Sequence, residues 1–381
     1  MKTAAVLLAS VLLLPALHAQ NADTPKTEKP AANAAPRRAF ARLVSPEIHP
    51  DRTVTFRLAA PNAREVRVTG GWGGDTVALT NGGSGVWSAT VGPLEPNIYD
   101  YSFSVDGLAI CDPANSWVKP MRSPCWSAVE VPGDPPRVWE IQPVPHGTVH
   151  EHFYFSRSLG VKRRVHVYTP PGYEKKSGKY PVLYLLHGMG DNDATWSASG
   201  RANFIADNLL AQHQIKPIIV VMTDGHAVDP AAGRDMVSRN LEAFSSDLLR
   251  DVIPLVESTY RVKANRENRA IIGLSMGGGQ SLTIGLEHRD LFAWVGGMSS
   301  YLSDAQALVA KAFPEPKSDL KLLWFACGRD DGLVEHSRRL SAALKEKHIP
   351  HVFKETAGNH SWPVWRGYLG EFLPLLFVSA K

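Results

Sequence analysis

The chain has 381 residues, 41 basic against 37 acidic side chains, a formal net charge of +4 and 44% apolar residues. That length allows two ordinary domains, or one large domain with an appendage. So even a charge balance, without any run of Lys or Arg, excludes the electrostatic footprint of a nucleic-acid-binding protein.

Residues 1–19 read as an export signal. Lys2 supplies a positive start, Val6 to Leu14 a short apolar stretch, and Pro15 to Ala19 a turn with small residues for cleavage after Ala19. Delivery to the periplasm or the medium is expected. The apolar stretch is too short to span a bilayer and no other segment reads as a span, so no membrane attachment is expected after cleavage. Residues 20–42 are rich in Ala, Pro, Lys and Asn without apolar periodicity, the composition of a disordered tether.

Residues 43–132 carry short β-like runs separated by Gly, Pro and Asn: TVTFRLAA, EVRVTGGW, TVALT, GVWSATVG, NIYDYSFSVDG and SAVEVPG. Their spacing predicts an all-β sandwich. Export implies an oxidising environment, where Cys111 and Cys125, flanking a loop with Pro and Trp, could close a small disulfide. Cys327 ends the apolar run LKLLWFACG and reads as a buried thiol; no cysteine spacing resembles a zinc site. Residues 133–147, opening with Gly-Asp-Pro-Pro, read as a stiff linker.

The texture changes over 148–381. VHEHFYFS and RRVHVYTPP predict a hairpin, and YPVLYLLHG, IIVVMTDG, RAIIGLS, WVGGMSS and LKLLWFACG are continuous apolar runs suited to strands buried on both faces. Helical patterns alternate with them over Ala202 to Gln212, Ser238 to Thr259, Met276 to His288 and Leu333 to Lys347. Strands alternating with helices predict an α/β domain with a mostly parallel sheet covered on both faces.

In such a sheet the chemistry collects beyond the carboxyl ends of the strands. Those positions hold His187-Gly188-Met189-Gly190, Gly273-Leu274-Ser275-Met276-Gly277, Gly328-Arg329-Asp330-Asp331 and Gly358-Asn359-His360-Ser361. The order Ser, Asp, His matches that of an α/β-hydrolase triad. Ser275 is the expected nucleophile, since a serine hydroxyl attacks only once a base takes its proton, and His360 is the expected base. A carboxylate on the second imidazole nitrogen fixes the tautomer and stabilises the cation; Asp331 is preferred, with adjacent Asp330 and more remote Glu335 as alternatives. The glycines around Ser275 are expected to permit a tight turn with unusual backbone angles. The amides of Met276 and Met189 are the expected oxyanion donors. Trp196, Trp362 and Trp365 are candidates to line the substrate cleft, with packing roles equally open. The loop from Gly225 to Arg239 is a plausible cleft wall. His150 and His152 share a strand face without a third ligand nearby, and Asp191-Asn192-Asp193 reads as a turn, so neither is taken as a metal site.

At HGMGDNDATW, RAIIGLSMGGGQSL, ACGRDDGL and GNHSWPVWRGYL the chain resembles the family one carbohydrate esterases of the α/β-hydrolase fold. Those include feruloyl and acetylxylan esterases, with siderophore esterases and mycolyl transferases as relatives. The stretches VTFRLAAPNAREVRVTGGW, GVWSATVGPLEPNIYDYSFSVDG and CDPAN resemble a family 48 carbohydrate-binding module, from whose usual pattern the cysteine pair departs. In that sandwich Trp72, Trp87 and Tyr99 are available for sugar contact or for the core. The resemblance implies a secreted serine esterase that removes hydroxycinnamoyl groups from arabinoxylan without metal or organic cofactor. Its partner would be feruloylated or acetylated xylan or derived oligosaccharides. Acetylxylan esterase is the nearest alternative; a siderophore esterase and a non-catalytic carbohydrate-binding protein are the others.

Overall fold

The computed structural model describes residues 43–74, 76–229 and 236–378. The leader and tether expected over 1–42 lie outside the described residues.

The first part is a pair of antiparallel sheets. Its strands are β1 (Glu47–Ile48), β2 (Val54–Ala59), β3 (Val66–Gly70), β4 (Val77–Ala78), β5 (Thr80–Asn81), β6 (Val86–Val91), β7 (Asn97–Val105), β8 (Leu108–Ile110) and β9 (Ser127–Val131). One sheet runs β1-β2-β6-β5; the other runs β4-β3-β7-β8, with β9 also paired to β7. Strand alternation turns Val54, Phe56 and Leu58 inward, against Val66, Val68, Tyr101 and Phe103 from the facing sheet. TVALT, expected as one strand, divides between the sheets: Val77–Ala78 pairs with β3, Thr80–Asn81 with β6. Leu79, between the two halves, is buried in the shared core, which bends the run from one sheet to the other.

The second part centres on an eight-stranded sheet with the order β10-β11-β13-β12-β14-β15-β16-β17. These are Thr148–Ser156, Val161–Thr169, Val182–Leu186, Ile219–Thr223, Arg269–Gly273, Trp294–Met298, Leu322–Gly328 and Val352–Thr356 for β10, β11, β12, β13, β14, β15, β16 and β17. β10 and β11 form the expected antiparallel hairpin, and β12 to β17 are parallel. The helices are α1 (Thr195–Ala198), α2 (Ala202–Ala211), α3 (Met236–Asp247), α4 (Ile253–Thr259), α5 (Met276–Glu287), α6 (Ala305–Ala312), α7 (Val334–Glu346) and α8 (Trp362–Phe372). The continuous apolar strands feed two cores: in β12, Val182, Tyr184 and Leu186 join one, Leu183 and Leu185 the other. The fold is an α/β-hydrolase sheet preceded by a β-sandwich.

The helix expected over Ser238 to Thr259 is interrupted by a π-helical turn at Leu248–Val252. Pro254 follows it; lacking an N–H, proline cannot continue the ordinary ladder there. α6 and α8 were not expected. In WPVWRGYLGEF, Trp362, Trp365, Leu369 and Phe372 fall on one buried helical stripe, with Pro363 in the first turn.

The linker is not free. Asn208 Nδ2 on α2 donates to the carbonyls of Val138 (2.7 Å) and Glu140 (2.8 Å), and Gly147 N donates to Asp207 (3.0 Å). Arg366 on α8, fully buried, donates to Asn97 Oδ1 on β7 (2.9 Å), to the Ser199 carbonyl (2.7 Å) and to the Ile98 carbonyl. Sandwich and hydrolase sheet therefore share a buried polar seam within one unit, Leu43–Lys381.

The anticipated disulfide is absent: Cys111 and Cys125 are free, half-buried thiols. Hydrogen bonds close their loop instead, from Asp112 N to Ser127 Oγ (3.0 Å), Lys119 N to the Trp126 carbonyl (2.9 Å) and Asn115 Nδ2 to the Ala128 carbonyl (2.8 Å).

Candidate active site

Ser275 stands between β14 and α5 with φ 55° and ψ −115°, a backbone conformation a side-chain-bearing residue rarely adopts. Its surroundings hold it there: its N–H donates to the Met298 carbonyl (2.9 Å), and its own carbonyl accepts from Gly279 N and Tyr301 N (both 3.0 Å). The flanking glycines do a different job from the one expected. Neither carries positive φ; they supply space. A Cβ on Gly277 would lie 2.3 Å from the His187 carbonyl, and one on Gly273 would lie 2.3 Å from the Gly277 carbonyl. The unusual angles belong to the serine itself.

Three elements converge on that turn. His360, after β17, places Nε2 3.0 Å from Ser275 Oγ. Asp331, after β16, faces His360 Nδ1 with both oxygens, at 3.0 and 2.9 Å. Asp331 is almost fully buried. Burial pushes its carboxyl up, but hydrogen bonds from His360, Ser299 and the Leu333 amide outweigh that and hold it below the ordinary carboxylate value. Asp330 is exposed, its Oδ2 near Gly358 N at 3.4 Å, and Glu335 pairs with Arg338 (2.5 Å). Neither alternative acid reaches the histidine. Trp365 meets the His360 ring edge-on, with centroids 4.8 Å apart, and limits where the imidazole can swing.

Met276 opens α5, so its amide is among the first-turn N–H groups without an intrahelical acceptor. Met189 lies on the loop after β12 and, with Ser275, borders two cavities. The larger, about 520 Å³, runs along one face of α5 past Met276, Gln280 and Thr283, and is closed opposite by Tyr301, Leu302 and Leu308. Of the stretch expected as a loop from Gly225 to Arg239, Met236 and Val237 already belong to α3 and contribute to the cavity wall; residues 230–235 lie outside the described residues. The smaller, about 290 Å³, holds His360, and the sandwich supplies much of its wall through Gly70, Asp100, Lys119 and Trp126.

Among the candidate cleft tryptophans, Trp362 and Trp365 border the smaller cavity, each mostly buried. Trp196 borders neither cavity. It is 1% exposed, donates to the Leu186 carbonyl (3.0 Å) and packs edge-on against Trp362, so it is a core residue supporting the wall. In the sandwich, Trp72 packs on Phe56, Trp87 Nε1 donates to the Ala60 carbonyl (2.9 Å) and Tyr99 OH to the Glu95 carbonyl (2.7 Å), which are core duties. Asp100, Lys119 and Trp126 were missed. Asp100 is the polar interruption in NIYDYSF, but nothing local in sequence ties it to Ser275. His150 and His152 bond to Thr169 (3.0 Å) and Tyr260 (2.5 Å). Asp193 pairs with Arg164 and His166 (both 2.7 Å).

Residues 156–376 match the Esterase family model, described as "Putative esterase". The chain is 32% identical over 345 residues to the endo-1,4-beta-xylanase/feruloyl esterase of Xylanibacter ruminicola, covering 87% of this chain and 46% of that protein. It thus spans about half the length of that relative. It is 26% identical over 224 residues to the acetyl esterase of Caldicellulosiruptor saccharolyticus, covering 49% of this chain and 80% of that one. Among solved structures, the CE1 ferulic acid esterase of Anaeromyces mucronatus aligns with a TM-score of 0.55 at 25% identity, over 62% of this chain and 93% of that one. The enterobactin esterase of Shigella flexneri shares the fold, with a TM-score of 0.64 at 20% identity over 84% of this chain and 92% of that one. The family match takes in the serine turn, the acid turn and the histidine loop together, and the chain accordingly belongs to the Esterase family.

Proposed function

We propose that the protein is a secreted serine esterase releasing hydroxycinnamoyl groups from arabinoxylan. The observation that carries this is the pair of unequal cavities meeting at Ser275. The larger is mainly apolar in its wall and lies within the roughly 300–1,000 Å³ range of small-molecule sites. It is far roomier than a two-carbon acyl group needs, which favours an aromatic acyl chain over acetate. The smaller carries Ser361, Trp362 and Trp126, groups suited to a sugar alcohol. The feruloyl esterase relative supports the same substrate class.

In this reading His360 takes the Ser275 proton as Oγ attacks the ester carbonyl, and Asp331 holds the imidazole and stabilises its charge. The tetrahedral oxyanion rests on the amides of Met276 and Met189. His360 then protonates the departing sugar oxygen, and a water activated by the same histidine clears the acyl-enzyme. Besides that water, the reading calls on no group beyond this chain. Export rests on the leader sequence, and glycan binding by the sandwich on its share of the smaller cavity.

Release of ferulate against acetate from matched xylo-oligosaccharide esters tests the assignment. Preference for ferulate is expected; acetate release faster by orders of magnitude would make it an acetyl esterase. Fluorophosphonate should label Ser275 stoichiometrically, and absence of labelling in folded protein would sink the serine mechanism.

A further inference from the structure

The loop carrying Met189 is anchored from both parts of the molecule. On the hydrolase side, His187 Nδ1 lies 2.7 Å from the Gly188 carbonyl, and Gly190 N donates to His226 Nε2 (3.2 Å). On the sandwich side, one short segment reaches across. Arg122 N donates to the Gly190 carbonyl (2.9 Å), and the Pro120 carbonyl accepts from Thr195 Oγ1 (2.6 Å). Lys119 Nζ lies 3.1 Å from Asp191 Oδ1 and 3.1 Å from Asp100 Oδ2.

These are not surface ion pairs. Lys119 is 9% exposed and Asp191 5%. A buried lysine between two carboxylates is held in place, because moving it would strand charge away from water. Burial pushes the Asp191 carboxyl up even with the lysine beside it. The segment is itself rigid, since Lys119 N bonds to the Trp126 carbonyl (2.9 Å) and Val118 bridges Ser127, whose strand β9 pairs with β7. The contact therefore runs from a sandwich strand, through one ammonium group, to the residue two places after Met189.

We propose that Lys119 is a positioning residue for ester hydrolysis: by fixing Asp191 it holds the Met189 amide aimed at the oxyanion, so the sandwich takes part in catalysis even on esters that contain no sugar. This rests on the serine-esterase reading, and its consequence is specific. An oxyanion donor acts in the transition state, so misplacing it lowers kcat and leaves ground-state binding nearly intact.

The test compares wild type, K119M, K119R and S275A, all as the full chain, on methyl ferulate and on phenyl acetate, neither of which carries a sugar. For K119M, kcat should fall about 10–100-fold on both esters, a fraction of what complete loss of an oxyanion donor costs. KM should change less than about 3-fold, and K119R should regain at least ten-fold of a hundred-fold loss. Unchanged kcat in folded K119M, whatever its melting temperature, overturns the proposal and leaves Lys119 a stabilising contact. So does a defect confined to KM for feruloylated oligosaccharides, which would make Lys119 a sugar contact. If K119M does not fold, D191N, which leaves Lys119 paired with Asp100, reads the same link with the same expected kcat loss. Hydrolysis by wild type and none by S275A upholds the parent reading independently of Lys119. Wild type inert toward every ester fails that reading and this proposal with it.

Discussion

Replacing Arg366 with methionine tests whether sandwich and hydrolase sheet unfold as one body. The guanidinium is fully buried, and its partners are the amide oxygen of Asn97 and the carbonyls of Ile98 and Ser199. R366M keeps much of the apolar stem but leaves these acceptors without their donor, at about 1–3 kcal/mol for each one that stays buried and unpaired. An opposing effect is relief of the buried charge, whose cost shows in a pKa pushed down to about 10 by burial. Weighing the two, a net loss of about 2–4 kcal/mol is expected. With an unfolding entropy of roughly 2.1 cal/mol/K per residue, that corresponds to a melting point lower by about 3–6 °C for a unit of this size. Calorimetry and near-UV circular dichroism on the full chain should show one transition in wild type, and in R366M a lower or divided one. A melting point within about 1 °C of wild type, still as one transition, would refute the claim that this seam couples the two parts.

Three other outcomes follow from the site. D331N should cut kcat on methyl ferulate by about 10³–10⁴-fold while D330N stays near wild type, since only Asp331 reaches His360; equal losses would reopen the choice of acid. T283W, which fills the larger cavity partway along α5, should suppress ferulate release at least tenfold more than acetate release, and an equal effect on both would mean the acyl group lies elsewhere. His226 concerns acid stability: burial first, and then the neighbouring His187 charge, push it down from 6.5 to about 4. The unfolded chain therefore binds a proton the folded one refuses, so this contribution is whole above pH 6.5 and is lost as the pH falls toward 4. H226Q, which keeps an acceptor for Gly190 N, should flatten the urea midpoint across that interval; a slope identical to wild type would show that His226 is not the group responsible.

What was legible in the sequence was what local chemistry dictates. RAIIGLSMGGG announces a buried strand, a cramped turn and a helix in consecutive residues, and the acid and histidine sit at strand ends where such sheets place them. Of the two adjacent acids, Asp331, the preferred one, is within hydrogen-bond reach of His360. Other features depended on distant neighbours. Trp196 and Trp362 carry the same aromatic chemistry, and only the helix stripe of α8 shows which one meets the cavity. Lys119 carries no local signal in the sequence, because its two carboxylates come from β7 and from the loop after β12. Cys111 and Cys125 are close enough for one thiol to feel the other, yet both are free. The role assigned to the glycines around Ser275 was wrong in mechanism, since crowding by His187 and Leu186 is invisible until strands are side by side.

The Arg366 seam also orders events in time. Arg366 lies 269 residues after Asn97, the first acceptor it satisfies. A chain made or threaded from its amino end can complete the sandwich early, yet the patch around Asn97 and Ile98 stays uncovered until α8 arrives. Pairings across such separation are slow to form, and surface left waiting for them invites association with other chains. The same late helix follows directly on His360, so this imidazole gains its Trp365 support only once α8 has docked. Nascent molecules should therefore be inert toward esters, with hydrolytic competence arriving abruptly once α8 has docked rather than growing with the length of chain already structured.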